Sequence, residues 1–220
     1  MIKPFEFKQC ATILKATGMQ AVDLRELRNG IETVSEESIF HHTFQYFLKG
    51  HTMEYTNDFA HWAGESLEER ALAERLSNMD PYAFSSIGLL RQGILDAIDD
   101  YLNRFPEPRR AMMGQEFYFN HTLTLIFPAG IRASNLAEFL MGIKFVDSES
   151  IYYHFYEGRM RLGSDDFSSW IFDQLEKQEL ADKIRAIDPF MHTTEDIRTL
   201  IASAVEMDVK KDMEIAGDAS

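Results

Sequence analysis

FEFKQCATILKATGMQAVDLRELRNGIETVSEESIFHH, from Phe5 to His42, aligns without a gap on FYFNHTLTLIFPAGIRASNLAEFLMGIKFVDSESIYYH, from Phe117 to His154, every pair lying 112 positions apart. Phe5/Phe117, Phe7/Phe119, Gly18/Gly130, Leu24/Leu136, Glu26/Glu138, Gly30/Gly142, Ser38/Ser150, Ile39/Ile151 and His42/His154 all match. Beyond a loop four residues shorter in the second copy the offset becomes 108, and NDFAHW from Asn57 meets DDFSSW from Asp165. The match runs on to Asp80-Pro81 with Asp188-Pro189. Chance does not produce such a pattern. The chain reads as two copies of one module, residues 1–105 and 117–210, with a joint at 106–116 marked by Pro106 and Pro108 and a flexible tail at 211–220.

Each copy reads as a short strand followed by four helices. Alternating aromatics at Phe5/Phe7 and Phe117/Phe119 favour an extended start, which Gly18 and Gly130 are expected to end. Asp23-x-x-Glu26 and Asn135-x-x-Glu138 are capping boxes that start a helix at Leu24 and at Leu136. Ser35 and Asp147 are placed to cap the next helix, Asn57 and Asp165 a third. The residue before a proline avoids the helical region, so Asp80-Pro81 and Asp188-Pro189 force a break. A last helix follows, with Ile87, Leu90, Ile94 and Ile98 at helical spacing in the first copy. The fold class expected is α+β, predominantly α-helical: two tandem strand-plus-four-helix modules related by a pseudo-twofold.

The charge narrows the function classes. With 22 Lys+Arg against 36 Asp+Glu the net charge is −14, which repels phosphates and anionic lipid heads, so neither nucleic acid nor a membrane is an expected partner. The acidity is spread out: residues 1–105 carry 10 basic and 16 acidic side chains, residues 106–220 carry 12 and 20. A single cysteine, Cys10, forms no internal disulfide and favours a reducing compartment. The start MIKPFEFKQC has no apolar signal region, and no apolar run approaches the roughly 20 residues of a membrane helix. A soluble, cytoplasmic protein is the expectation.

The order F-x-F, G-x-x-A, S-I-[FY]-x-H, [ND]-D-F-x-x-W and D-P resembles the bacterial and archaeal family known as domain of unknown function 5752, over both copies. The second copy departs from it with Asp165 for the asparagine and Ser169 where the first has His61. The resemblance implies a small accessory unit, sometimes attached to or encoded beside sugar-metabolising enzymes, and brings no catalytic residues.

His42 and His154 recur, as do Asp58 and Asp166, and a His with a carboxylate is the raw material of an acid–base pair or a ligand set. The competing reading is a buried imidazole on an apolar helix (Ile39, Phe40, Phe44 and Phe47; Ile151, Tyr152, Phe155 and Tyr156), and recurrence in both copies favours it. The first copy is histidine-rich, with His41, His51 and His61 besides, and Glu37 lies one helical turn from His41. The second copy has Tyr153 and Ser169 at the places of His41 and His61, and no H-E-x-x-H motif occurs. No metal and no cofactor are therefore expected. Trp62, Trp170, Phe59 and Phe167 could stack on sugar rings, but the i,i+3 spacing of Phe59 and Trp62 turns both rings to one face and favours core, together with Ile39 and Ile151. Cys10 aligns with Thr122 and reads as a core thiol.

Two function classes stand. One is a non-catalytic interaction or scaffolding module whose partner is another protein, with a sugar-metabolising enzyme as the candidate and the Ile87/Leu90/Ile94/Ile98 stripe as a docking face unless it closes the core. The other is an enzyme or ligand-binding protein of trehalose-type carbohydrate metabolism, with His42, His154, Asp58 and Asp166 lining a cleft between the copies. Oligomeric state is not legible.

Overall fold

Two strands of 17 residues each, β1 (Phe5–Ala21) and β2 (Phe117–Ala133), hydrogen-bond into a two-stranded sheet. Glu6 pairs with Arg132 at 2.8 Å, and Thr17 Oγ1 donates to the Phe119 carbonyl at 2.7 Å, so the strands run in opposite senses. In this computed structural model, residues 2–44, 54–159, 163–189 and 191–218 are described. The strands are long where short ones are expected. Gly18 (φ 80°) and Gly130 (φ 77°) do not end them: a residue without Cβ takes a left-handed conformation inside a strand, and the pairing continues.

After β1 come α1 (Leu24–Thr33), α2 (Glu36–Phe44), α3 (Asp58–Glu65), α4 (Arg70–Ser77), a 3-10 turn (Pro81–Ala83) and α5 (Ile87–Arg104). After β2 come α6 (Leu136–Phe145), α7 (Ser148–Tyr152) running into a π-turn (Tyr153–Glu157), α8 (Asp166–Leu175), α9 (Gln178–Arg185) and α10 (Thr194–Asp218). The chain is α+β and mostly helical. Among the described residues five α-helices follow each strand, not four. The unforeseen breaks fall at Glu68 (φ 55°) and Glu176 (φ 56°), where a glutamate holds the left-handed conformation that sequence reading looks for at glycine. No helix among the described residues is long and apolar enough to cross a membrane.

The caps explain where the helices begin. Asp23 accepts the N–H groups of Arg25 and Glu26, and Asn135 accepts that of Glu138. Glu26 and Glu138 reach back one residue beyond the cap, to the N–H groups of Val22 and Ser134. Asn57 and Asp165 accept from Ala60 and Ser168. Asp147 occupies the cap position of α7, but its side chain makes no capping bond, and neither does that of Glu69 before α4 or of Lys177 before α9.

The chain forms two compact units, Thr12–Thr124 and Met1–Ala11 with Leu125–Ser220. In the first, Phe117 and Phe119 of β2 lie against Phe59, Trp62 and His42. Leu90, Ile94 and Ile98 are buried where α5 meets α1, α2 and α4 and Ile87 is half-buried, so three of the four side chains offered as a docking face are core. In the second, Phe5 and Phe7 lie against Phe139, Phe167 and His154, and α10 buries Ile197, Ile201 and Val205 beside α6, α7 and α9. Each unit contains a glycine in close approach. A Cβ on Gly30 would lie 2.3 Å from the Phe119 ring, and one on Gly142 2.3 Å from the Phe7 ring.

Candidate functional site

His42 projects from α2 into the core, with its ring centroid 4.8 Å from Phe117 and 5.4 Å from Phe59, and is only 3% exposed. Its Nδ1 is 3.0 Å from Asp58 Oδ2, the carboxylate being placed in the first turn of α3 by the Asn57 cap. Its Nε2 accepts the backbone N–H of Asn120, in β2, at 3.0 Å. An imidazole nitrogen that accepts an N–H bears no proton, so in the neutral ring the proton sits on Nδ1 and is donated to Asp58.

His154 makes the same bonds in the other unit. Nδ1 is 2.7 Å from Asp166 Oδ2, and Nε2 accepts the N–H of Lys8, in β1, at 2.8 Å. Phe5 and Phe167 lie 4.8 Å and 5.3 Å from the ring. The structure thus brings His42 to Asp58 and His154 to Asp166, each pair inside its own unit.

This proton placement decides what the pairs can do. A general base needs a free lone pair on the nitrogen remote from its carboxylate, and here that lone pair holds a strand N–H. His41, His42 and Asp58 do place one ligand atom each within 4.8 Å of one another. A cation on His42 Nδ1, however, would shift the ring proton to Nε2 and set it against the Asn120 N–H. Tyr153 stands 112 residues after His41, so the trio does not recur beside His154. Glu37 is exposed, its carboxyl held below the usual range first by Ser35 and then by its own backbone N–H. His61 is half-buried beside Tyr55. His51 and Phe47 lie outside the described residues.

The aromatic candidates for sugar stacking are core side chains. Phe59, Phe167, Ile39 and Ile151 are fully buried, and Trp62 and Trp170 nearly so. Each indole N–H finds a carbonyl, Trp62 that of Gln115 at 2.6 Å and Trp170 that of Lys3 at 2.7 Å. Cys10 is buried, donates to the Glu149 carbonyl at 3.7 Å, and has its thiol pushed up to about 12 by burial, with Glu157 and Glu149 adding to the shift.

Two features escaped the sequence. The first is a buried carboxyl: Asp165 is 0% exposed, and burial holds it above the ordinary range against the bonds from Ser168 and the Arg159 charge. Arg159 Nη2 lies 3.9 Å from it, donates to the carbonyls of Arg185 and Ile187 at 3.0 Å, and reaches that of Ile184 at 3.5 Å. In the other unit Asn57 Nδ2 donates to the carbonyl of Leu76, the residue matching Ile184 at the 108 offset. The aspartate cannot make that donation, and the arginine supplies it. The second feature is an open groove of about 420 Å³ between the end of β2 and α6, lined by Ile131, Ala137, Met141, Gly142 and Phe145 with Arg132 and Glu138. Met141 is 53% and Phe145 71% exposed, whereas α1 has Asn29 and Thr33 at the matching positions.

No curated protein matches this chain. Among solved structures, OrfY from Thermoproteus tenax is similar, with 30% identity over 93% of this chain and 95% of its own and a TM-score of 0.78. The Family of unknown function (DUF5752) matches over residues 2–206, and the chain belongs to that family.

Proposed function

We propose that this protein is a non-catalytic interaction or scaffolding protein, built by tandem duplication of one strand-and-helix module. The observation that carries the reading is the hydrogen bonding of the two conspicuous histidines. Both ring nitrogens of His42 and of His154 are engaged, one by a carboxylate and the other by a strand N–H, so the recurring residues hold the fold. Duplication is supported by residues 112 apart doing the same work in each unit: Lys8 and Asn120 as donors, Phe7 and Phe119 against Gly142 and Gly30.

The β2–α6 groove is the surface we assign to the partner. Asn29 and Thr33 at the matching positions argue that the module does not need apolar side chains there, and exposed Met141 and Phe145 are the side chains a protein partner would bury. Given the accessory character implied by the family resemblance, a cytoplasmic sugar-metabolising enzyme is the first partner class to test. A carbohydrate-converting site on His42, His154, Asp58 and Asp166 would require imidazole lone pairs that are here occupied.

The experiment is affinity capture from the native cell with the tagged chain and with a Met141→Asn/Phe145→Thr variant. The proposal expects a stoichiometric partner on the parent chain that is lost from the variant. A parent chain that captures nothing and sizes as a monomer would overturn it.

A further inference from the structure

The two compact units do not follow the order of the chain. The half that precedes the joint supplies all of α1–α5, but its first strand residues, Phe5–Ala11, belong to the unit of α6–α10. The half that follows the joint supplies α6–α10 and lends Phe117–Thr124 to the unit of α1–α5. The lent segments sit at the centre of each core. Phe5 and Phe7 are 6% and 1% exposed, as are Phe117 and Phe119. Three residues on from the first aromatic, the Lys8 N–H ties β1 to His154 and the Asn120 N–H ties β2 to His42. The acceptors are shaped for this: only a glycine at 142 and at 30 leaves room for the second ring of each segment.

We infer that the two halves of this chain are reciprocal donor and acceptor of a Phe-x-Phe strand, and that each acceptor is a binding site for an extended segment with two aromatics on one face and a free N–H three residues after the first. The source of that segment here is the other half of the chain. The joint at 106–116 tethers the halves but is not what holds them together. Once folded, the protein survives its cutting as a two-fragment complex, with the bonds of strand addition and aromatic anchors supplying the affinity.

The test is a specific-protease site inserted between Met113 and Gly114, in a stretch where Met112 and Met113 are 73% and 98% exposed. After complete cutting, the inference expects one species at the elution volume of the uncut chain, with a melting temperature that now depends on concentration. A labelled peptide of residues 2–11 should enter the cut protein by exchange and leave the uncut protein unlabelled. Phe7→Ala or Phe119→Ala should weaken the association of the cut halves on the order of 100-fold, with Met112→Ala as the unchanged control. Where the insertion itself prevents folding of the uncut chain, the same series is run with the site between Glu107 and Pro108. Halves that elute separately after cutting, or an association indifferent to Phe7 and Phe119, would overturn the inference.

Discussion

The backbone N–H of Lys8 donates to Nε2 of His154 across 146 residues of chain, at 2.8 Å. That bond fixes the tautomer of the imidazole, and with it the proton between Nδ1 and Asp166. A strand N–H, a neutral ring and a carboxylate make a three-part clamp, and Asn120, His42 and Asp58 make another.

Removing either ring should be costly. His42→Ala and His154→Ala each leave a cavity and an unpaired strand N–H, and each should lower stability by roughly 2–4 kcal/mol. Thermal melts would register this directly, and unchanged melting of both variants would return the two histidines to the list of reactive groups.

Arg159 and Asp165 should behave as a unit. Asp165→Asn alone keeps the cap on the Ser168 N–H, as Asn57 does for Ala60, and should stay within about 1 kcal/mol of the parent. Arg159→Met removes the donor to the Arg185 and Ile187 carbonyls and the cation beside a fully buried carboxyl, and should cost about 3 kcal/mol. In the double variant much of that loss should return. Simple additivity in urea titrations of the four proteins would show that the two side chains are not coupled.

Alkaline pH should loosen the fold. The Cys10 thiol is pushed up from 9.0 to about 12 by burial, and the Tyr101 hydroxyl from 10.0 to about 12 by burial and then by its bond to Glu69. A folded value above the unfolded one means that the stability from these groups is complete below about pH 9 and is lost as pH rises toward 12. Cys10→Thr, the residue found at the matching position 122, should flatten the decline measured between pH 8 and 11. An identical slope would remove Cys10 from the account. The same burial predicts slow labelling by thiol reagents at neutral pH until the protein unfolds.

The exposed face of α6 should be replaceable. Met141→Asn with Phe145→Thr, the residues that α1 carries, should change stability by less than about 1 kcal/mol while reducing the binding of an apolar dye. A large loss of stability would mean that this face is needed by the fold and is not reserved for a partner.

What the sequence disclosed followed local chemistry. The Asp23 and Asn135 capping boxes, the extended Phe-x-Phe starts and the pairing of His42 with Asp58 and His154 with Asp166 each depend on short-range spacing or on the repeat itself. Glu68 and Glu176 hid the breaks after α3 and α8 because a left-handed glutamate leaves no signature. Arg159 was invisible because its work is to satisfy carbonyls of α9 and the turn after it, about 25 residues away. The lending of Phe5 and Phe7 to the unit of α6–α10 was invisible for a deeper reason. Gly30 and His42 on one side and Gly142 and His154 on the other are the same acceptor residues, so no pattern in the chain says which of the two a strand will cover.

Whether the two imidazoles are held as neutral clamps can be read from their protonation, by long-range proton–nitrogen NMR on the labelled full chain at neutral pH. His42 and His154 should both be neutral, protonated on Nδ1 and unprotonated on Nε2, and added zinc should leave their resonances in place. A proton on Nε2 of either ring, or resonances that move on adding zinc, would contradict the neutral clamp.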